Sequence, residues 1–461
     1  MNVHFIAIGG AVMHNLAIAL KLKGYNVTGS DDEIFDPAKS NLEKHGLLPA
    51  DFGWHPEKIT KELDAIILGM HAKPGNPELD RAMELGLKIY SFPEYIYEQS
   101  KYKKRVVIAG SHGKTTITSM IMHVLKYHNM DFDYLVGSKI EGFDIMVRLS
   151  DAPVIVIEGD EYLTSALDPR PKFLHYKPHI ALISGIAWDH INVFPEYSGY
   201  LNEFKKFILS IENGGSLIYF KDDDELPGLV TECSDISRPN TPKNIEPYGT
   251  PNYEYRDGQA FLIPDDGNLS GDSIPLEIFG RHNLTNLNGA RNVCKELGIS
   301  EAKFFDAIRH FKGAANRLEL IAKTEKTTIF KDFAHAPSKL KATINAAKEL
   351  FEDRQLIAVM ELHTYSSLSK HFLEQFGGSM DRADIPVVFF TPHAIALKKL
   401  TPITVEDVKS GFGNTDLQVF TDATELEKFL RNLNYQNASL LLMSSGNFGG
   451  MDLQLLAADL T

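Results

Sequence analysis

The stretch Arg105-Val-Val-Ile-Ala-Gly-Ser-His-Gly-Lys-Thr-Thr116 decides the reading of this chain. A short apolar run leads straight into Gly110-Ser111-His112-Gly113-Lys114-Thr115-Thr116, and Ile117–Tyr127 follows with helical character. Strand, glycine turn and helix in that order build an anion cradle. Glycines let backbone N–H groups close round a phosphate, and the new helix offers its positive end. Lys114 then serves the terminal phosphates and the Thr115 hydroxyl serves Mg²⁺. The general phosphate-loop pattern asks for a further glycine where Ile108 stands, so the form here is a shortened one. The plainer explanation, a glycine turn with a chance lysine, does not account for the strand before it and the helix after it. The stretch predicts a nucleotide site, with ATP and Mg²⁺ as the groups it takes.

Outward from this loop the chain alternates short apolar runs with helical patterns, as parallel α/β units do. Upstream come strand Val3–Ile8, helix Val12–Lys23 and strands Asn26–Gly29, Ala65–Leu68 and Lys88–Ser91, with the polar patch Gln99–Lys104 as a linker. Downstream come strands Val154–Glu158 and Ile180–Ser184, then Lys221–Ser273, rich in Asp, Pro, Asn and Gly and read as hairpins and excursions. A third block opens near Leu318 with strands Thr328–Lys331, Gln355–Met360, Pro386–Phe390 and Ser439–Met443, and helix Ser338–Phe351 between the first two. The 461 residues suit roughly three domains. We divide them as 1–103, 104–318 and 319–461.

Bulk properties exclude several classes of function. A formal charge of -14 is wrong for a nucleic-acid surface, which needs concentrated Lys and Arg. Cys233 and Cys294 are the only cysteines, so neither a disulfide framework nor a thiolate metal site is indicated. No apolar run approaches the roughly 18 residues of a membrane span. Val3–Ile8 has no preceding Lys or Arg and reads as a buried strand rather than a signal peptide, which predicts a cytoplasmic protein.

Other constellations are weaker singly. Gly9-Gly10-Ala11-Val12-Met13 lies between strand and helix and suits a diphosphate, although Ala11 and His14 stand where a dinucleotide fingerprint wants glycine. Ser30-Asp31 after the next strand puts a carboxylate where a ribose or uracil can be held; a tight turn with a helix cap explains it equally well. Glu158-Gly-Asp-Glu161 follows a strand end, where a carboxylate meets a ligand beside the phosphate loop and offers Mg²⁺ a hard oxygen. Trp188-Asp189-His190 follows another strand, which favours His190 as a ligand over a surface histidine. Asn283 and Asn286 share a helix face and suit an adenine edge, or serve only to pin the helix. Arg317 suits a phosphate and Asp332 ribose hydroxyls.

In this order the set resembles the Mur ligase family over essentially the whole chain. The carriers are the loop at 110–116, His282-Asn-Leu-Thr-Asn286, and Arg317 followed by Asp332. The resemblance implies an α/β protein of three domains: a Rossmann-like UDP-binding domain, a central P-loop-type ATPase domain and a C-terminal Rossmann-like domain. It implies that Gly110, Ser111, His112, Gly113, Lys114, Thr115 and Thr116 cradle ATP, with Lys114 on the β/γ-phosphates. Thr115, Glu158 and His190 would be Mg²⁺ ligands, with Lys114, Glu158 and His190 central to catalysis. Asn283 and Asn286 would contact adenine, Arg317 and Asp332 the rest of ATP. Gly10, Ala11, Val12, Met13, Ser30 and Asp31 would hold the UDP moiety.

The implied reaction is ATP-dependent amide formation on UDP-N-acetylmuramate through an acyl phosphate. Three features point to the peptidoglycan-recycling branch, which adds L-alanyl-γ-D-glutamyl-meso-diaminopimelate. They are the long spacer carrying Asp168-Pro-Arg-Pro-Lys-Phe-Leu-His-Tyr176, Asp332-Phe-Ala-His-Ala-Pro337, and Ser444-Ser-Gly-Asn-Phe-Gly-Gly450. Addition of L-alanine is the nearest alternative, and a P-loop kinase or nucleotide-sensing ATPase a more distant one. Ala336 replaces a usual histidine, and Glu361-Leu-His-Thr-Tyr-Ser366 stands where an arginine-bearing turn is expected. His363, Thr364 and Asn447 are candidates for peptide contact by loop position only. Lys205, 15 residues after His190, lies near the offset of the carbamylated lysine of some relatives but reads as a solvated helix face. The expected partners are small molecules alone, neither nucleic acid nor membrane, with the chain a monomer or weak homodimer.

Overall fold

The computed structural model describes residues 1–70, 72–165, 167–188, 193–235, 242–264, 273–314 and 317–461. They form two compact units, 1–249 with 286–308, and 250–285 with 309–461. The division falls inside the helix Arg281–Glu296.

The first unit holds two sheets. Strands β1 (Asn2–Ile6), β2 (Asn26–Ser30), β3 (Ala65–Leu68) and β4 (Ile89–Ser91) make a parallel sheet of order β2-β1-β3-β4. Strands β5 (Lys104–Ala109), β6 (Asp133–Leu135), β7 (Val147–Arg148), β8 (Val154–Glu158), β9 (Ile180–Ile183), β10 (Ser216–Phe220) and β11 (Asn244–Tyr248) make the second, of order β11-β10-β9-β5-β8-β6-β7. Among its described strands only the β6–β7 pair is antiparallel. Parallel strands covered on both faces read as unbroken apolar runs, and β5 obeys this, with Val106 to Ala109 wholly buried. Because β5 is flanked by β8 and β9, the chain runs outward from it in both directions. Ligands bind beyond the carboxyl ends of strands at such a switch point.

The second unit holds β12 (Tyr253–Arg256), β13 (Gln259–Leu262) and β14 (Ile274–Leu276), a small antiparallel sheet. Its larger sheet comprises β15 (Glu319–Lys323), β16 (Thr327–Asp332), β17 (Gln355–Glu361), β18 (Ile385–Phe389), β19 (Gln418–Phe420) and β20 (Ala438–Met443), in the order β15-β16-β20-β17-β18-β19. All its pairs are parallel except β15–β16. No described helix is long and apolar enough to cross a membrane.

The structure corrects the sequence reading in three places. The first strand stops at Ile6 rather than Ile8, because Ala7 turns to φ 67 and the Ala7 and Ile8 amides both donate to Ser30 O. The patch Gln99–Lys104 is not a linker. The helix Phe92–Ser100, fixed by a Ser91/Glu94 capping box, runs through Gln99, and Lys104 already belongs to β5. Between them Lys103 Nζ is held by Ser150 O and Ala152 O, each at 2.7 Å. Finally, Lys221–Ser273 is not all hairpin, for it also contains the helix Leu226–Asp235 and the parallel strand β11.

Candidate active site

The loop after β5 is shaped by residues that must be glycine. Gly110 and Gly113 take φ 122 and φ 78, the left-handed region that side chains resist. A Cβ on Gly110 would stand 2.3 Å from Ser184 Oγ, and one on Gly113 2.4 Å from Asn286 Oδ1. Gly113 caps the helix Lys114–Tyr127, whose first-turn N–H groups therefore face the loop. Ser111 is a brace: its amide donates to Gly185 O at 3.0 Å, and its hydroxyl donates to Ala187 O at 2.7 Å and meets Tyr200 Oη at 2.9 Å. His112 Nδ1 lies 2.8 Å from Ser111 O, and Thr116 is buried in the helix.

Four side chains converge at this loop. Lys114 Nζ donates to Gly110 O and to Glu161 Oε2, both at 2.6 Å. Burial pushes the Lys114 ammonium down, but Glu161, Asp160 and Glu158 outweigh that and hold it above the usual lysine range. Thr115 Oγ1 donates to Glu158 Oε1 at 2.7 Å, while Glu158 Oε2 accepts from Gly137 N at 2.9 Å. A hydroxyl and a carboxylate in contact are the hard oxygen set that Mg²⁺ selects, so these residues fit the ion. The glycine-shaped loop, with its lysine and helix N-terminus, fits the phosphates of ATP. His190, the other predicted metal ligand, lies outside the described residues. Sequence reasoning missed Glu161 and Tyr200 here. The acidic run held the signal for Glu161; nothing local marked Tyr200, which arrives on the helix Tyr197–Leu209.

The two asparagines make different contacts. Asn283 Nδ2 turns back to Phe279 O at 2.9 Å, whereas the Asn286 amide packs on Gly113. His282 stays neutral, because burial pushes it down to about 4.

In the second unit, Arg317 stacks on Phe333, its Cζ 4.5 Å from the ring centroid. Asp332, 5% exposed, spends its carboxylate on Leu318 N at 2.8 Å, Ala334 N at 2.7 Å and Thr343 Oγ1 at 3.2 Å. Burial pushes the Asp332 carboxyl up, and these bonds with Arg317 offset that only in part. Its immediate work is thus to hold Leu318, at φ 47, just after Arg317. Glu361 at the end of β17 accepts from Ser444 Oγ and from Phe448 N at 2.8 Å, tying down the glycine loop after β20. His363 packs on Gly446, Thr364 closes its own turn through Ser367, and Asn447 is exposed.

The N-terminal glycine turn is held by Asp31, whose Oδ2 accepts from Gly9 N at 2.7 Å. Burial raises the Asp31 carboxyl to about 6, with neighbouring Asp32 adding to the rise. Gly10 caps the helix Ala11–Leu22; Ala11 is exposed and Val12 half-buried, while Met13 and Ser30 are packed inside. From Met13 to Leu20 that helix is buried on all sides, and Asn15 on it accepts from Met146 N at 3.0 Å.

Lys205 is half-buried and pairs with Glu232 of the helix Leu226–Asp235. Glu94, Asp168 and His175 also converge. Arg170 already supplies a cation there, 2.7 Å from Asp168 and 3.8 Å from Glu94.

Comparison with known proteins bears directly on this site. Residues 2–104, 108–294 and 316–446 match, in turn, the Mur ligase family catalytic domain, the Mur ligase middle domain and the Mur ligase glutamate ligase domain. The UDP-N-acetylmuramate–L-alanine ligase of Sulfurihydrogenibium sp. (strain YO3AOP1) is 28% identical, covering 97% of this chain and 95% of that protein. The UDP-N-acetylmuramate–L-alanyl-gamma-D-glutamyl-meso-2,6-diaminoheptandioate ligase of Haemophilus influenzae is 26% identical, covering 99% and 98%. Among solved structures, a murein peptide ligase from Psychrobacter arcticus 273-4 aligns with TM-score 0.64 at 24% identity, over 100% of this chain and 99% of that one. The UDP-N-acetylmuramate-alanine ligase MurC from Thermotoga maritima aligns with TM-score 0.68 at 20% identity, over 100% and 98%. These two give the three-domain α/β fold.

Proposed function

The chain belongs to the Mur ligase family, whose members are ATP-dependent amide ligases, and on that premise we propose that it joins UDP-N-acetylmuramate to a murein tripeptide in peptidoglycan recycling. The observation that carries the chemistry is the convergence of Lys114, Thr115 and Glu158 on one glycine-shaped loop. A carboxylate is a poor electrophile because its oxygen leaves badly, and phosphorylation removes that obstacle. Lys114 neutralises the terminal phosphate as it moves to the lactyl carboxylate, and the helix N-terminus adds its dipole. Thr115 and Glu158 would hold Mg²⁺, which supplies further charge neutralisation when bound. The amine of the acceptor then attacks the acyl phosphate and phosphate leaves.

In this reading residues 1–103 take the UDP-sugar through the turn held by Asp31, 104–318 carry ATP, and 319–461 take the acceptor. Asn286 and Arg317 remain proposed nucleotide contacts. Asp332 acts through Arg317, and His190 is the proposed second metal ligand. A cytoplasmic setting and a monomer or weak homodimer belong to the same proposal.

The tripeptide acceptor is favoured by the long hairpin between Glu158 and β9, closed by the Leu163–Pro171 bridge, and by the Asp332–Pro337 and Ser444–Gly450 segments. L-alanine as acceptor is the second reading, favoured by the similar identity to the L-alanine ligase of Sulfurihydrogenibium. The test is phosphate release from ATP with Mg²⁺ and UDP-N-acetylmuramate, with no amine, L-alanine, or L-alanyl-γ-D-glutamyl-meso-diaminopimelate. Release that needs the tripeptide supports the proposal; release driven by L-alanine alone moves the chain to the second reading.

A further inference from the structure

Three acidic side chains cluster at the end of β8, and each has a different partner. Glu158 takes Thr115 and Gly137, Asp160 takes Lys172 at 2.6 Å, and Glu161 takes Lys114 at 2.6 Å. The backbone forces this division. Gly159 N donates to Ile108 O at 2.8 Å, and a Cβ on Gly159 would stand 2.8 Å from Val107 Cγ1. The chain therefore lies flat on the end of β5 before Lys172 N, donating to Tyr162 O, folds the hairpin back. Glu161 is thereby driven beneath the phosphate loop, with 1% of its side chain exposed against 15% for Lys114. Its Oε1 lies 3.5 Å from Tyr200 Oη, which in turn meets Ser111 Oγ at 2.9 Å. The loop is thus braced at Ser111 and at Lys114 by one carboxylate that comes from outside it.

An ammonium so little exposed requires a counter-charge, and of its three hydrogens two are committed, one to Gly110 O and one to Glu161. We infer that Glu161 is the resting counter-ion of Lys114, a positioning residue that keeps the ammonium folded over the loop and that the triphosphate must outcompete. This rests on the assignment of Lys114 to the ATP phosphates proposed above. The consequence is a division of effects. The carboxylate repels the incoming phosphates, so it weakens nucleotide binding; it also fixes the direction from which Lys114 meets the transferring phosphate, so it speeds the chemical step.

The test pairs titration calorimetry of Mg·ADP with steady-state phosphate release, L-alanine and the tripeptide both being present as acceptors. Glu161→Gln keeps an acceptor for the lysine and removes the charge. It should tighten Mg·ADP about ten-fold, as one less anion near the phosphates predicts at partly screened separations, while kcat falls about ten-fold. Glu161→Asp, which keeps the charge and shortens the reach, should lower kcat without tightening Mg·ADP. It also serves if the glutamine variant fails to fold. Looser Mg·ADP binding in Glu161→Gln, or both quantities within two-fold of the parent, overturns the inference. Lys114→Met separates the two levels. If it leaves Mg·ADP affinity unchanged, the assignment of Lys114 falls and takes the inference with it. If it weakens Mg·ADP while Glu161→Gln changes nothing, only the inference falls.

Discussion

Replacing Arg105 by methionine tests the packing that sets the phosphate loop. Arg105 sits on β5 five residues before Gly110, is 1% exposed, and satisfies carbonyls from two other segments. Nε donates to Tyr176 O at 2.8 Å and Lys177 O at 3.0 Å, and Nη1 to Ser100 O and Lys101 O, each at 3.0 Å. Nη2 meets Glu212 Oε1 at 2.9 Å, and the guanidinium lies 5.1 Å over the Tyr97 ring. Methionine fills much of the volume but donates nothing, so buried carbonyls lose their partners at about 1–3 kcal/mol each. Relaxation of the Lys101 and Lys177 turns toward water recovers part of this, and we expect a net loss of about 4 kcal/mol. For a unit of this size that is a fall in Tm of roughly 10 °C. Glu212, 34% exposed on its side chain, can turn to solvent, so Glu212→Gln should cost under about 1 kcal/mol. Differential scanning calorimetry of both variants decides the matter. Equal losses in the two would refute the reasoning, because the cost would then lie in the ion pair and not in the stranded carbonyls.

Other outcomes follow from single contacts. Gly113→Ala puts a Cβ 2.4 Å from Asn286 Oδ1 at φ 78, so Mg·ADP affinity should fall at least ten-fold by calorimetry, with about 2 kcal/mol lost from stability. Thr115→Val removes the hydroxyl bonded to Glu158, and the Mg²⁺ concentration for half-maximal phosphate release should rise about ten-fold. Asp31 gives a pH signature. Its carboxyl titrates near 6 in the fold against 3.8 ordinarily, so the folded state binds the extra proton between those values. Its contribution is whole below about pH 4 and lost as pH rises through 6, about 3 kcal/mol in all. Urea unfolding of the parent and Asp31→Asn should therefore diverge between pH 4 and pH 7, the parent losing ground as pH rises. Parallel curves would remove Asp31 as the cause.

What could be read beforehand was what local sequence determines. The run Val106–Ala109, the glycines at 110 and 113 and the helix behind them need no distant information, because burial on both faces and positive φ each leave a local mark. Glu158 was legible for the same reason, as the last residue of a buried strand. What sequence did not disclose is long-range. Tyr200 reaches Ser111 across 89 residues, and Gly137 reaches Glu158 only because β6 lies beside β8. The Gln99–Lys104 patch misled because Lys103 and Lys104 look like linker residues, while their carbonyl and carboxylate partners lie near Asp133 and Ser150. At Asp332 the strand end was legible but its distant neighbours were not: the carboxylate accepts from Leu318, Ala334 and Thr343.

The central claim is that this ligase activates UDP-N-acetylmuramate for a peptide acceptor. Its most direct test is one reaction containing ATP, Mg²⁺, UDP-N-acetylmuramate and equal concentrations of L-alanine and L-alanyl-γ-D-glutamyl-meso-diaminopimelate, with the products weighed by mass spectrometry. The UDP-N-acetylmuramoyl-tripeptide should be the dominant new mass, formed one for one with phosphate. A dominant UDP-N-acetylmuramoyl-L-alanine, or phosphate without either amide, would contradict it.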